Sequence, residues 1–323
     1  MNTQTLTNNN YSTMKPSVKD FLTSIADGAP VKYIGSGTDS DAFVVGEYVY
    51  RFPHNAATFA QYTRESQICN LARDAVSVAL PEIEVCKKSG FEYSKHKMIV
   101  GKKWRWHMFS WRPIKQARLA DSIARFFAEL HGVDISDFSG RVTGADNFKY
   151  VDIKKIIPEI SPFMSARTLR FFVKKYNSIV NARVPKGDMV LCHMGLKGLN
   201  SVVDNTGRLV GVFDFGNAGV HERWRDLGVI FTGKNRRLYK MVRRRYCKYA
   251  GVKYRRHRIE DLASVEHFAE KRWLNPDGTL RKLSDDRIKR YLAHALALFY
   301  HMPMWFRRVL YIKMSIHTYL HRK

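Results

Sequence analysis

Residues 189–228, MVLCHMGLKGLNSVVDNTGRLVGVFDFGNAGVHERWRDLG, decide how this chain reads. Three short apolar runs, 189–192, 201–204 and 209–213, carry strand character, and 205–207 supplies the Asn and Gly of a hairpin turn between the last two. Polar residues stand at their ends: His193 after the first, Asn200 before the second, Asp214 after the third. Strand ends deliver side chains into a shared cleft. An Asn amide and an Asp carboxylate are the oxygen donors that a hard cation such as Mg²⁺ prefers, so the segment predicts a β island carrying a site.

Upstream, β-type runs dominate residues 31–100, at 42–45, 48–52, 83–86 and 97–100, with Gly46-Glu47 as a two-residue hairpin turn and Ser89-Gly90 as another. One helix interrupts this sheet. It starts after Asn55 as N-cap, carries Phe59, Tyr62, Ile68 and Leu71 with Glu65 in its middle, and ends before Pro81. Beyond Gly101 the period turns helical, with Leu119, Ile123, Phe126, Phe127 and Leu130 on one apolar face that ends at His131. Residues 1–16 lack periodicity and read as a mobile tail. The fold class is α+β and bilobal: a sheet-rich lobe over 17–103, a connector near 99–104, and a mostly helical lobe over 104–323 that contains the hairpin.

At 323 residues the chain is long enough for two cores, and 45% apolar with 13% aromatic residues excludes a disordered protein. Cys69, Cys86, Cys192 and Cys247 are far apart with no Cys-x-x-Cys pair, which indicates neither a disulfide framework nor a zinc site and suits reduced thiols in a cytoplasm. No apolar run approaches the roughly 20 residues of a membrane helix, and the N-terminus is polar, so a soluble, unexported protein is expected. Against 29 Asp and Glu stand 55 Lys and Arg, a net charge of +26. Such an excess favours polyanions: nucleic acid, anionic lipid, or phosphorylated and acidic substrates.

The string 193–200 has the length and ends of the H-x-D-x-x-x-x-N catalytic loop, and Asp214-Phe215-Gly216 follows 14 residues after Asn200. With LVGVFDFGNAGVHERWRDLG and the earlier IGSGTDSDAFVVGEYVYRFP, the chain over roughly 30–230 resembles the aminoglycoside and macrolide phosphotransferase family of small-molecule kinases. The resemblance implies a protein-kinase-like fold, ATP or GTP with Mg²⁺ between the lobes, and a small-molecule acceptor against the helical lobe; no protein partner is predicted. Asn200 and Asp214 would hold the metal, His193 would brace the loop, Lys197 would contact the γ-phosphate, and Asp226 would be the structural carboxylate after the metal motif. Gly35, Ser36 and Gly37 lie where a phosphate-covering turn is expected, although the pattern is incomplete. Arg51 stands where a lysine usually reaches the phosphates, with Glu65 as its ion-pair partner. The departure is Gly195, where the family places the Asp that accepts the substrate proton.

Simpler readings stand beside these. His193 reads as a buried, hydrogen-bonded histidine, Asn200 and Asp214 as a turn-capping pair, Arg51 and Glu65 as a surface ion pair, and Gly35 and Gly37 as plain turn glycines. Asp226 reads as a helix cap, and Asp188, the nearby alternative base, as a solvent-exposed loop residue. The run 234–258 has 12 Lys or Arg and no acid, with Leu238, Met241, Val242, Cys247 and Tyr249 near helical intervals: either a solvated helix face or a contact for anionic substrate, lipid or nucleic acid. The mixed aromatic and basic stretch 295–323 reads as core packing, with a peripheral position at a membrane surface as its alternative and Pro303 as a helix break. Two other functions remain open: a nucleotide-binding pseudokinase-like module, motivated by Gly195, and a basic protein that binds polyanions or membrane surfaces.

Overall fold

The computed structural model describes residues 16–37, 39–105, 108–136, 138–142, 149–232, 235–275, 277–300, 302 and 305–321. The expected tail, apart from Pro16, and Pro303 lie outside these residues. The chain opens with α1 (Pro16–Ile25), β1 (Val31–Ser36), β2 (Ser40–Val45), β3 (Tyr48–Pro53), α2 (Ala56–Arg73), β4 (Glu84–Lys88) and β5 (Phe91–Lys97), whose strands form one antiparallel sheet in the order β1-β2-β3-β5-β4. The two-residue turn Gly46-Glu47 joins β2 to β3, and the Asn55 side chain caps α2 by accepting from the Thr58 N–H at 2.9 Å.

The strand expected at 97–100 lies earlier, at β5. Ser89 and Gly90 both take left-handed φ values, 52° and 79°, which closes a tight hairpin and pairs Lys88 directly with Phe91. Five of the seven residues of 91–97 are polar, which hides the strand, while the apolar run 98–100 is connector: Met98 and Val100 are exposed. A small aromatic core, Phe21, Phe43, Tyr50, Phe52 and Tyr93, fills the space between α1 and the sheet.

The remainder comprises β6 (Lys102–Lys103), α3 (Pro113–Leu130), α4 (Phe138–Arg141), α5 (Ile153–Ile160), α6 (Ala166–Val180), β7 (Met189–Cys192), β8 (Ser201–Val203), β9 (Leu209–Val212), β10 (Gly219–Glu222), α7 (Trp224–Phe231), α8 (Arg236–Tyr249), α9 (Arg256–Val265), α10 (Glu270–Trp273), α11 (Asp285–Phe299) and α12 (Phe306–His321). The β island is two small sheets, since β7 pairs with β10 whereas β8 pairs with β9 and β6. The apolar face of α3 is buried as its period requires: Leu119, Ile123, Phe126, Phe127 and Leu130 are at most 2% exposed. This larger core also takes in Ile68, Cys69 and Ala72 from the far end of α2, and Ala79 exchanges backbone hydrogen bonds with Val210 and Val212. The helix that leaves the sheet is therefore anchored in the helical part of the molecule. Among the described residues, no helix is long and apolar enough to cross a membrane.

Two glycines let the connector press against the site. A Cβ on Gly198 would collide with the Trp104 carbonyl, and one on Gly211 with the Ile99 side chain. Trp104 adds a hydrogen bond from its indole N–H to Ser201 Oγ, 2.9 Å. A Cβ on Gly195, by contrast, would meet nothing nearer than Asn200 Nδ2 at 3.6 Å. Gly198→Ala should therefore cost at least about 2 kcal/mol in urea denaturation, whereas Gly195→Ala should stay within about 1 kcal/mol of the native chain; equal losses would contradict the geometry.

Candidate active site

The sheet and the segment bearing Asp214 meet at the Glu65 carboxylate. Arg51 on β3 contacts it twice, Nη2 to Oε2 at 2.9 Å and Nη1 to Oε1 at 3.3 Å, and Glu65 Oε1 also accepts the Phe215 N–H at 2.9 Å. The pair is buried, with side-chain exposures of 16% and 2%, which sets aside the surface ion pair. Arg51 Nε donates to Ser94 Oγ at 3.0 Å and its guanidinium lies over the Tyr62 ring, so two of its five N–H donors are not taken up by these contacts. One residue before Glu65, Arg64 donates to the Gly216 and Ala218 carbonyls. The middle of α2 thus grips the segment that carries Asp214.

The loop 193–200 is held by another buried carboxylate. Asp226, fully buried in α7, accepts the N–H groups of His193 at 2.9 Å and Met194 at 2.7 Å. Its third partner is His131 Nε2, 3.1 Å away, and His131 Nδ1 in turn accepts from the Tyr246 hydroxyl at 2.7 Å. The helix cap expected of Asp226 is corrected here: its oxygens face the loop because α7 packs beneath it. Burial alone raises an acid's pKa, but the hydrogen bonds from His131 and from the His193 N–H hold Asp226 below the usual carboxylate range. Met194 keeps a left-handed φ of 62° within this clamp.

His193 is buried, with both ring nitrogens engaged: Nε2 donates to the Phe213 carbonyl at 3.2 Å and Nδ1 accepts the Gly195 N–H at 3.1 Å. Its ring meets Phe215 edge-on at 4.5 Å. Burial depresses its pKa, so the imidazole is neutral and acts on loop shape. Asn200 donates from Nδ2 to the Gly195 carbonyl at 3.0 Å, which leaves Oδ1 as its donor to a cation. The Asn200 carbonyl accepts the Phe213 N–H at 3.0 Å, so the residue before Asp214 is tied to Asn200 itself.

Asp214, two residues past β9, has a left-handed φ of 67° and is exposed. Desolvation first, then the charge of Glu65, raises its pKa, while His193 and Arg51 pull the other way. A carboxylate crowded by another negative group is one that a cation stabilises, and two oxygen donors from adjacent backbone positions suit Mg²⁺.

Gly35 and Ser36 end β1, with Gly35 at a φ of 142° that L side chains rarely adopt, and the Gly37 N–H closes the turn onto the Ser40 carbonyl at 2.8 Å. Lys197 is exposed on the loop. Asp188 is corrected: it is buried, pairs with Arg223 at 3.2 Å and Arg255 at 3.3 Å, and stands at the far end of β7 from the loop. It is no substitute base. Within the run 234–258, α8 buries Leu238, Tyr239, Val242 and Tyr246, while Arg245 pairs with Asp121 and Arg243 lies over Tyr254, as a solvated helix face does; Lys234 lies outside the described residues.

Sequence reasoning missed Ser94, Arg64 and His131, whose partners are distant in the chain. It also missed a cluster whose field includes Lys197: Glu266, His267 and His294 offer donor atoms within 4.8 Å of one another. Burial pushes Glu266 up to about 7 and lowers His267 to about 2 and His294 to about 4. His294 Nε2 donates to the Ala263 carbonyl at 3.1 Å, and Lys197, Arg272 and Arg307 all bear on the cluster. That positive field opposes a divalent cation, and the cluster reads as a buried polar network.

His131, His193, His221, His267 and His294 are all lowered by burial. In the unfolded chain they take protons near pH 6.5, and in the native chain they do not. The unfolded state therefore binds more protons below pH 6.5, an excess that the raised carboxyl of Glu266 offsets only in part, and stability falls as pH drops. Denaturant titrations at pH 7.5, 6.5 and 5.5 should give a flat segment and then a steep fall, and His294→Asn should lessen the slope. Constant stability down to pH 5.5 would contradict this.

The same architecture occurs in solved phosphotransferases. ADP-bound aminoglycoside phosphotransferase APH(2'')-Ib superposes with a TM-score of 0.61 at 18% identity, covering 94% of this chain and 97% of that one. APH(2'')-IIia in its GDP and kanamycin complex gives 0.64 at 16%, covering 89% and 98%. Macrolide 2'-phosphotransferase MphH from Brachybacterium faecium gives 0.57 at 13%, covering 93% and 98%. These likenesses establish the bilobal, protein-kinase-like α+β fold. Residues 30–262 match the sequence profile of the Phosphotransferase enzyme family, well over half of the chain, and the protein belongs to that family.

Proposed function

We propose that the protein transfers the γ-phosphoryl group of ATP or GTP to a hydroxyl of a small molecule, with a slow chemical step. The observation that carries this reading is the Glu65 carboxylate, which in one side chain ties Arg51 of the sheet to the Phe215 N–H beside Asp214. In this reading residues 17–103 hold the nucleotide and 104–323 the acceptor. The turn Gly35–Gly37 covers the phosphates, the two remaining N–H donors of Arg51 reach them, and Lys197 approaches the γ-phosphate. Asn200 and Asp214 hold Mg²⁺, which neutralises phosphate charge when bound. His193 and Asp226 set the loop on which these groups depend. The net charge of +26 favours a neutral or anionic acceptor over a polycation. Free cysteines suit a cytoplasmic setting.

Gly195 supplies no base, and the neighbouring carboxylates are committed: Glu65 to Arg51 and Phe215, Asp226 to the loop, Asp188 to arginines. Phosphoryl transfer passes through a loose transition state in which positioning and electrostatics outweigh base assistance. Losing the base alone then slows the reaction by about 10²- to 10⁴-fold without abolishing it. A second reading, a nucleotide-binding module without turnover, is favoured by Gly195 itself.

Calorimetry with ADP and GDP, with and without Mg²⁺, together with turnover of the native chain, Gly195→Asp and Asp214→Ala, separates the two. The native chain should bind nucleotide in a Mg²⁺-dependent way, and Asp214→Ala should lose that dependence. Gly195→Asp, for which the loop has room, should raise turnover by about 10²- to 10⁴-fold. A silent native chain that binds nucleotide would favour the second reading. Absence of nucleotide binding in the native chain would sink both.

A further inference from the structure

The C-terminal stretch was expected to pack into the core, and for α11 it does: Leu292, Leu296 and Phe299 are buried. For α12 this holds on one face only. Met314 and Thr318 point inward at 5% and 7% exposure, and the rotation of the helix is pinned by Tyr311 donating to Asp286 at 2.6 Å and Lys289 donating to Ser315 at 3.2 Å. The opposite face carries Val309, Ile312, Ile316 and Leu320, with Trp305 just before the helix and Tyr319 beside the stripe, all between 42% and 67% exposed. Intervals of three and four residues place them in one stripe along the helix. Single exposed apolar residues are ordinary, but four in a continuous stripe, flanked by two exposed aromatics, mark a contact surface.

The chemistry along the edges names the contact. At about 100° per residue, Arg308 borders one side of the stripe and Lys313 the other; both are exposed. No acidic residue follows Asp286 in the chain. Aromatic residues, Trp305 and Tyr319, stand with the aliphatic ones, the composition suited to the boundary between headgroups and acyl chains. A second copy of a chain with net charge +26 would bring like charges together along the same stripe. We propose that α12 docks the protein on an anionic lipid surface, with Val309, Ile312, Ile316 and Leu320 entering the acyl boundary and Arg308 and Lys313 meeting headgroup phosphates. The docking surface is distinct from the residues assigned to nucleotide and metal, which lie on β1 and the turn after it, β3, α2 and residues 193–226.

The test is co-sedimentation of the full chain with phosphatidylcholine vesicles, with and without phosphatidylglycerol. Binding is expected only to the mixed vesicles, falling as salt rises. Ile312→Ser with Ile316→Ser should weaken it by more than about tenfold, and Arg308→Gln or Lys313→Gln by about fivefold each. These positions face solvent, so circular dichroism melts should match the native chain. On the native chain itself, brominated acyl chains in the mixed vesicles should quench a fluorescence component that Trp305→Phe removes. Failure to bind mixed vesicles, binding unchanged by the double serine variant, or a concentration-dependent dimer that this variant converts to monomer would each overturn the proposal.

Discussion

A carboxylate taken out of water must be surrounded by donors, and Glu65 meets this condition in a way that joins the molecule. It is 1% exposed, and its compensation comes from Arg51 on β3 and from the main chain at Phe215. Losing either partner leaves a buried charge short of hydrogen bonds, which costs far more than the pair gains when complete. The sheet, α2 and the segment bearing Asp214 are therefore held in one arrangement. The far end of α2 lies in the larger core with Ile68, Cys69 and Ala72, so the helix transmits that constraint instead of moving away from it.

The loop 193–200 has its own support. Asp226, His131 and the Tyr246 hydroxyl form a buried chain of hydrogen bonds, and Arg223 donates to Tyr246 at 3.2 Å from the other side. None of these contacts involves position 195. The frame that would orient a nucleotide and a metal is thus separable from the group that would accept a proton, and the absence of the second leaves the first intact. Room beside Gly195 makes this a matter of side-chain chemistry and not of backbone collapse.

Several features were legible because they depend on neighbours a few residues away. The Asn55 cap acts three residues on, the Gly46-Glu47 turn needs only its own backbone, and the α3 face follows from a repeat of apolar residues. The spacing of His193, Asn200 and Asp214 belongs with these, since a strand, a loop and a hairpin span it. Residues 91–97 escaped notice because 94–97 is an unbroken polar run, and what makes it a strand is its place between two neighbouring strands. The exposed stripe on α12 escaped for the opposite reason: its sequence is as apolar as a core helix, and only its packing partner decides which face is covered.

By itself the sequence determined the type and order of most elements, the strand-end positions of Asn200 and Asp214, the Arg51 and Glu65 pairing, and the missing side chain at 195. Only the tertiary structure decided what the buried charges do. Asp226 meets His131 across 95 residues and Glu65 meets Phe215 across 150, and Asp188 turns from a loop residue into the partner of two arginines. Such pairings depend on desolvation, and desolvation is a property of the folded volume around a group, which no local pattern of residues contains.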